Sequence, residues 1–194
     1  MSVAKAEEEL AHAETPEERW QADEQLSEAT GKLKASEAAL AELPLRSLSV
    51  YEHPPILNKA LTEAKERLMI ISPWIRKKVV NKDFLTKLES LLRNQVKLYI
   101  GYGIGDGRCD PGPVAKLQQL SANYENLKFM DFGNTHAKLL LYDRNCVCLG
   151  SFNWLSFKGD PDSPFRDEQS FLSSMAEVVD AKFSEQVKNF DDIS

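Results

Sequence analysis

Between His136 and Asn153 the chain reads H-A-K-L-L-L-Y-D-R-N-C-V-C-L-G-S-F-N, which reduces to H-x-K-x4-D-x6-G-S-x-N. Two apolar runs flank Asp143-Arg144-Asn145, the arrangement of two strands joined by a turn. Residues two apart on a strand share a face, so His136 and Lys138 are expected to point at the same spot. An imidazole able to act as a nucleophile then sits beside an ammonium cation. Gly150-Ser151-Phe152-Asn153 adds a hydroxyl and an amide after the second run. Such a set suits an anionic, oxygen-rich group under attack, and phosphate fits best. Asp143 lies five past Lys138, on the opposite strand parity, and reads as a turn residue with a structural role.

The rest of the chain gives this pair of strands a context. With 194 residues and 42% hydrophobic content, one domain with a sizeable core plus an appendage is expected. Residues 1–43 are rich in Ala, Glu, Leu and Lys, a helix-forming composition. Thr15-Pro16-Glu17-Glu18 has the form of a helix start: an N-cap, a proline at the first helical position, and Glu three after the cap. Trp20, Leu26, Leu33, Leu40 and Leu43 then recur at largely heptad-like steps, which leaves open a docked amphipathic helix, a helical hairpin or a coiled-coil interaction element. Pro44 disfavours helical geometry at Leu43, so the domain boundary is placed there.

Beyond Pro44, strand and helix patterns alternate. Strands are expected at Ser47–Tyr51, Leu68–Ser72, Val96–Ile100, Leu127–Phe132 and Gln169–Ser173, besides the two motif strands. Helices are expected at Pro55–Arg67, Asp83–Arg93, Pro113–Tyr124 and Met175–Phe190. Alternation argues an α/β fold. Three strands in succession from Leu127 to Leu149 argue that part of the sheet is antiparallel. The expected class is α/β, a mixed β-sheet sandwiched by helices, with an acidic helical segment at the N-terminus.

Charge is uneven. Of the 24 basic and 30 acidic residues, 4 and 11 precede the boundary (net -7), leaving 20 and 19 after it (net +1). The near-neutral domain neither favours nor excludes a phosphate-backbone substrate. No apolar run reaches the length of a membrane span, and Met1 to Leu10 has no signal-peptide character, so a cytoplasmic protein without membrane association is expected. Cys109, Cys146 and Cys148 give no disulfide framework. His12, His53 and His136 are scattered, and no cluster has metal-ligand spacing, so neither a metal nor another cofactor is expected.

The motif resembles that of the phospholipase D superfamily, the HKD family: His136, Lys138, Asp143, Gly150, Ser151 and Asn153 stand at the family's spacing. The resemblance spans roughly Ser47 to Phe190. It implies a phosphodiesterase in which neutral His136 attacks phosphorus and forms a phosphohistidine, splitting one difficult displacement into two. Lys138, Ser151 and Asn153 would hold the phosphate oxygens. Ser151 also reads as a helix N-cap before Asn153. An acidic residue after the G-S-x-N segment holds the imidazole in this family; Glu168 is assigned that role ahead of Asp167. The family pairs two motifs and this chain has one, so a homodimer is implied, with His136 of a second copy protonating the leaving oxygen.

Substrate contacts are read from the residues alone. Trp74, Arg76, Lys77 and Lys78 follow a strand end and put cations beside an aromatic ring, which suits phosphate tracking with base stacking. A solvated loop would read the same way. The loop Gly101–Gly112, with Arg108, and the segment Lys158–Arg166 are expected to border the site. Together these point to a metal-independent DNA endonuclease. The alternatives are a phospholipid hydrolase or transferase, and an effector subunit of a larger NTPase-containing assembly joined through residues 1–43.

Overall fold

The computed structural model describes residues 2–41, 43–105, 109–160 and 167–191. The chain divides into two compact units, Met1–Leu43 and Pro44–Ser194. The first is a helical hairpin: α1 (Val3–His12) packs on α2 (Pro16–Ala41). Small side chains make the contact, since Ala6, Ala22 and Ala29 are buried. The start of α2 is capped as the sequence predicts. Glu18 N donates to Thr15 Oγ1 (3.2 Å), and Thr15 N donates back to Glu18 Oε2 (3.0 Å). The leucine series is not a buried seam, because Leu33 and Trp20 are exposed.

The second unit is built on a seven-stranded mixed sheet in the order β1-β7-β6-β5-β2-β3-β4. The strands are β1 (Leu45–Leu48), β2 (Arg67–Ile71), β3 (Lys97–Tyr102), β4 (Leu127–Asp131), β5 (Leu139–Tyr142), β6 (Cys146–Gly150) and β7 (Ser170–Ser173). β2, β3 and β4 run parallel, and every other pairing is antiparallel. The helices α3 (His53–Glu63), α4 (Lys82–Arg93), α5 (Pro111–Asn123) and α6 (Ala176–Gln186) complete the unit.

Alternation along the strands divides the core in two. Leu68, Ile70, Leu98, Ile100, Leu140 and Cys148 pack with Leu57, Leu61, Phe84, Leu88 and Leu117 of α3, α4 and α5. Met69, Ile71, Leu139, Leu141 and Val147 face Val179 of α6 and Phe190 just beyond it. Helices thus cover both faces, which is why β2 and β5 are continuous apolar runs. Burial pushes the thiols of Cys146 and Cys148 to about 12, so both remain protonated core residues.

Several boundaries differ from the sequence reading, each for a local reason. The first strand is Leu45–Leu48, and Val50–Glu52 form a 3-10 turn. Ser49 N donates to Glu52 Oε2 (2.7 Å) there, and α3 starts at His53 with prolines in its first turn. It stops at Glu63 because Asp143 captures the next backbone N–H groups: those of Lys65 (3.0 Å to Oδ2), Glu66 (2.8 Å to Oδ1) and Arg67 (3.0 Å to Oδ1). His136 and Lys138 precede β5 rather than lying on it. A backbone bond from Thr135 N to Gly103 O (2.7 Å) ties their approach to the end of β3 instead.

Candidate active site

Three chain segments meet where β2 ends, β5 begins and β6 ends. After β2 the chain runs through Ser72 to Trp74. Ser72 Oγ accepts from Leu155 N (3.2 Å), and Arg76 N donates to Leu155 O (2.9 Å). These bonds hold the G-S-F-N-W-L turn against the loop after β2. Phe152 and Trp154 anchor that turn, both among the most deeply buried side chains of the unit. No helix follows Ser151. Ser156 N and Phe157 N both bond to Asn153 O (3.0 and 2.9 Å), closing a single turn.

His136 is exposed. Lys138 is 9% exposed, and its Nζ lies 3.3 Å from both ring nitrogens of His136 while donating to His136 O at 2.8 Å. The two side chains do meet, in the segment that precedes β5. The ammonium stands equally close to both ring nitrogens. Burial lowers the Lys138 pKa, and the charge of Glu168 partly opposes this. The Trp74 ring stands edge-on to His136, 6.2 Å between centroids.

Asn153 is 6% exposed, and its Oδ1 is buried without a hydrogen-bond partner; Trp74 Nε1 is in the same state. Buried polar atoms are nearly always paired; Arg46 Nε is a third such atom, and the Trp74 ring is the one in contact with His136. Ser151 Oγ donates to Glu168 Oε2 (2.5 Å) and accepts from Gln169 N (3.0 Å). Its only proton is therefore directed at Glu168. Among the described residues Glu168 makes no hydrogen bond to His136. Asp167 is exposed.

The overlying loop is more structured than its composition suggests. Arg76 Nη1 pairs with Asp110 Oδ1 (2.9 Å), and Lys77 N donates to Asp110 Oδ2 (2.8 Å). The Lys77 bond and then the Arg76 bond hold the Asp110 carboxyl below its usual range. Arg76 thus serves the loop, whereas the side chains of Lys77 and Lys78 are exposed. Arg108 and residues 161–166 lie outside the described residues. Among the described residues no cluster of three His, Cys, Asp or Glu side chains could hold a metal ion, and no helix is long and apolar enough to cross a membrane.

No family profile matches the sequence, and no curated protein does. Solved structures do match the fold. Nuc from Salmonella typhimurium, a phospholipase D family member, is 14% identical with a TM-score of 0.54, over 76% of this chain and 93% of its own. The fold is that of the phospholipase D family. Phosphatidylserine synthase from Haemophilus influenzae Rd KW20 shares this phospholipase D fold at 15% identity and a TM-score of 0.56, over 79% of this chain and 40% of its own. The archaeal chromatin protein TrmBL2, a DNA-binding protein, matches at 14% identity and 0.53, over 91% and 64%.

Sequence reasoning passed over His53, the first residue of α3, which is fully buried beneath the G-S-F-N turn. Its signal in the sequence was weak: a histidine beside two prolines, read as lying outside the helix.

Proposed function

We propose that the chain is a metal-independent phosphodiesterase, an endonuclease acting on DNA through a phosphohistidine. The observation that carries this reading is the contact of Lys138 Nζ with both ring nitrogens of His136. In the first step a neutral His136 nitrogen attacks phosphorus, the P–N bond forms and the P–O bond to the leaving group breaks. The leaving oxygen takes a proton from His136 of a second copy. Water then attacks phosphorus, loses its proton to that second imidazole and releases His136. Lys138 neutralises the non-bridging oxygens, the Asn153 side-chain NH2 donates to them, and Trp74 stacks on a base beside them. Glu168, assigned from sequence to the imidazole, acts on Ser151 in this geometry, and Ser151 in turn fixes the turn that carries Asn153.

A homodimer completes the site, because the chain holds one histidine of this type and the chemistry uses two. A strip on the α6 side of the sheet supports this. Leu149 and Phe171 (64% exposed) lie side by side in register, Leu45 stands on the same face two residues before Ser47, the β1 partner of Phe171, and Met175 and Val178 are exposed as well. Apolar strips of this kind mark contact surfaces. The same strip favours a second reading, a phospholipid hydrolase or transferase that rests it on a lipid surface.

The test is cleavage of plasmid and single-stranded DNA in excess EDTA by wild type and His136→Ala, with sedimentation of wild type and Phe171→Ser. Cutting that resists EDTA and vanishes in His136→Ala is expected, together with a Phe171→Ser protein that is monomeric and inactive. Cutting abolished by EDTA would refute the chemistry. A dimeric, inert wild type that hydrolyses phospholipid vesicles would transfer the assignment to lipid.

A further inference from the structure

His53 reaches the turn directly at Phe152, after Ser151, and through Ser170 at Gly150, before it. Its Nε2 lies 2.7 Å from Ser170 Oγ, and its Nδ1 lies 3.2 Å from Val50 O. A carbonyl can only accept, so Nδ1 carries the proton and Nε2 accepts from the Ser170 hydroxyl. Ser170 pairs with Gly150 across β6 and β7. The approach is so close that a Cβ at Gly150 would stand 2.3 Å from Ser170 Oγ. The bonded hydroxyl thus fills the space beneath the residue before Ser151. After Ser151, the imidazole stacks on Phe152, with centroids 4.2 Å apart and planes at 10°, and Trp154 packs at 5.2 Å.

We propose that His53 is a positioning residue of the phosphodiester site, holding the G-S-F-N turn in place through Ser170 on one side and Phe152 on the other. The proposal rests on the phosphodiesterase reading. A path of rigid contacts leads from the start of α3 to His53, to Ser170 and Phe152, and so to Ser151 and Asn153. His53 touches no reacting atom. Its task is to hold the Asn153 amide where a phosphate oxygen arrives, the precision a preorganised site requires.

The test compares wild type, His53→Phe, Ser170→Ala, the double variant and His53→Gln. kcat and KM are measured on bis(p-nitrophenyl) phosphate and plasmid DNA, alongside melting temperature and amide hydrogen exchange at residues 151–153. His53→Phe and Ser170→Ala should each lower kcat by roughly tenfold, the scale typical of groups that orient a site, with KM little changed. The double variant should be no worse than either single, because both remove one bond. His53→Gln, which can still accept from Ser170, should recover part of the loss. Exchange at the Ser151 amide should quicken in Ser170→Ala.

Wild-type kcat in a folded Ser170→Ala protein, or losses that multiply in the double variant, would overturn the proposal. If His53→Phe does not fold, Ser170→Ala decides alone. If wild type hydrolyses no phosphodiester, the functional reading fails on that ground. Exchange at residues 151–153 then still decides whether His53 and Ser170 hold the turn, and unchanged exchange refutes it.

Discussion

The two ends of the β5–β6 hairpin belong to one short motif and have opposite chemistry. At the turn end Asp143 is 6% exposed and saturated. Its carboxylate takes the N–H groups of Lys65, Glu66 and Arg67, and its backbone N–H and C=O bond to Arg67 as well. At the other end His136 is exposed, while Asn153 Oδ1 and Trp74 Nε1 are buried and unpaired. A fold gains stability by satisfying buried polar groups. Where it leaves them unpaired, that stability is forgone. Two residues equally prominent in one pattern are thereby separated, one paired throughout and one left open.

Substitutions can break that contrast. His136→Ala should have the largest effect, on the order of 10^3-fold or more in phosphodiesterase rate, since losing one member of a catalytic unit disables the whole. Its denaturation midpoint should stay at the wild-type value because the side chain is exposed. A destabilised His136→Ala would mean the open end also supports the fold. Asn153→Ala should cost about 100-fold in rate, the scale for one preorganised oxyanion contact, with stability unchanged or raised because an orphaned polar atom is removed. Urea titration beside the kinetics would show whether both halves hold.

Asp143→Ala should behave in the opposite way, losing about 2–3 kcal/mol of stability through its stranded backbone donors while each folded molecule keeps its activity. Asp143 also sits at φ 50°, where Asn is better tolerated than Ala, so Asp143→Asn should lose less. Equal losses in urea midpoint would weaken this account.

The smallest effect concerns pH. Burial depresses the His53 pKa, against the pull of its backbone contacts and of Glu168 and Glu52, so the unfolded chain takes up the proton first. The stability that neutral His53 contributes is complete above about pH 6.5 and declines as pH falls from there through the folded pKa. Thermal melts of wild type against His53→Phe should differ in slope across that range. Parallel curves would remove His53 from the acid limb.

Much of the architecture was legible in the sequence because it is local. The N-cap of α2, the apolar runs of β2 and β5 and the spacing of the H-x-K and G-S-x-N segments are all readable within a few residues. What escaped was pairing across long separations. Nothing near Asp143 announces that it holds residues 65–67, and nothing near Arg76 names Asp110. Periodicity gives the face of a strand but not its partner, so the Ser151–Glu168 bond and the burial of His53 under Phe152 became visible only with the chain folded.

The turn at Asp143 also works as a measuring device. It sets Tyr142 opposite Cys146 and hence Leu139 opposite Leu149, which fixes how far His136 stands from Ser151. One residue added or lost between Lys138 and Gly150 would turn the remaining side chains to the other face of the sheet. The hairpin could keep its composition and still deliver hydroxyl and amide to the wrong side. The register thus constrains the number of residues in this segment as well as their chemistry.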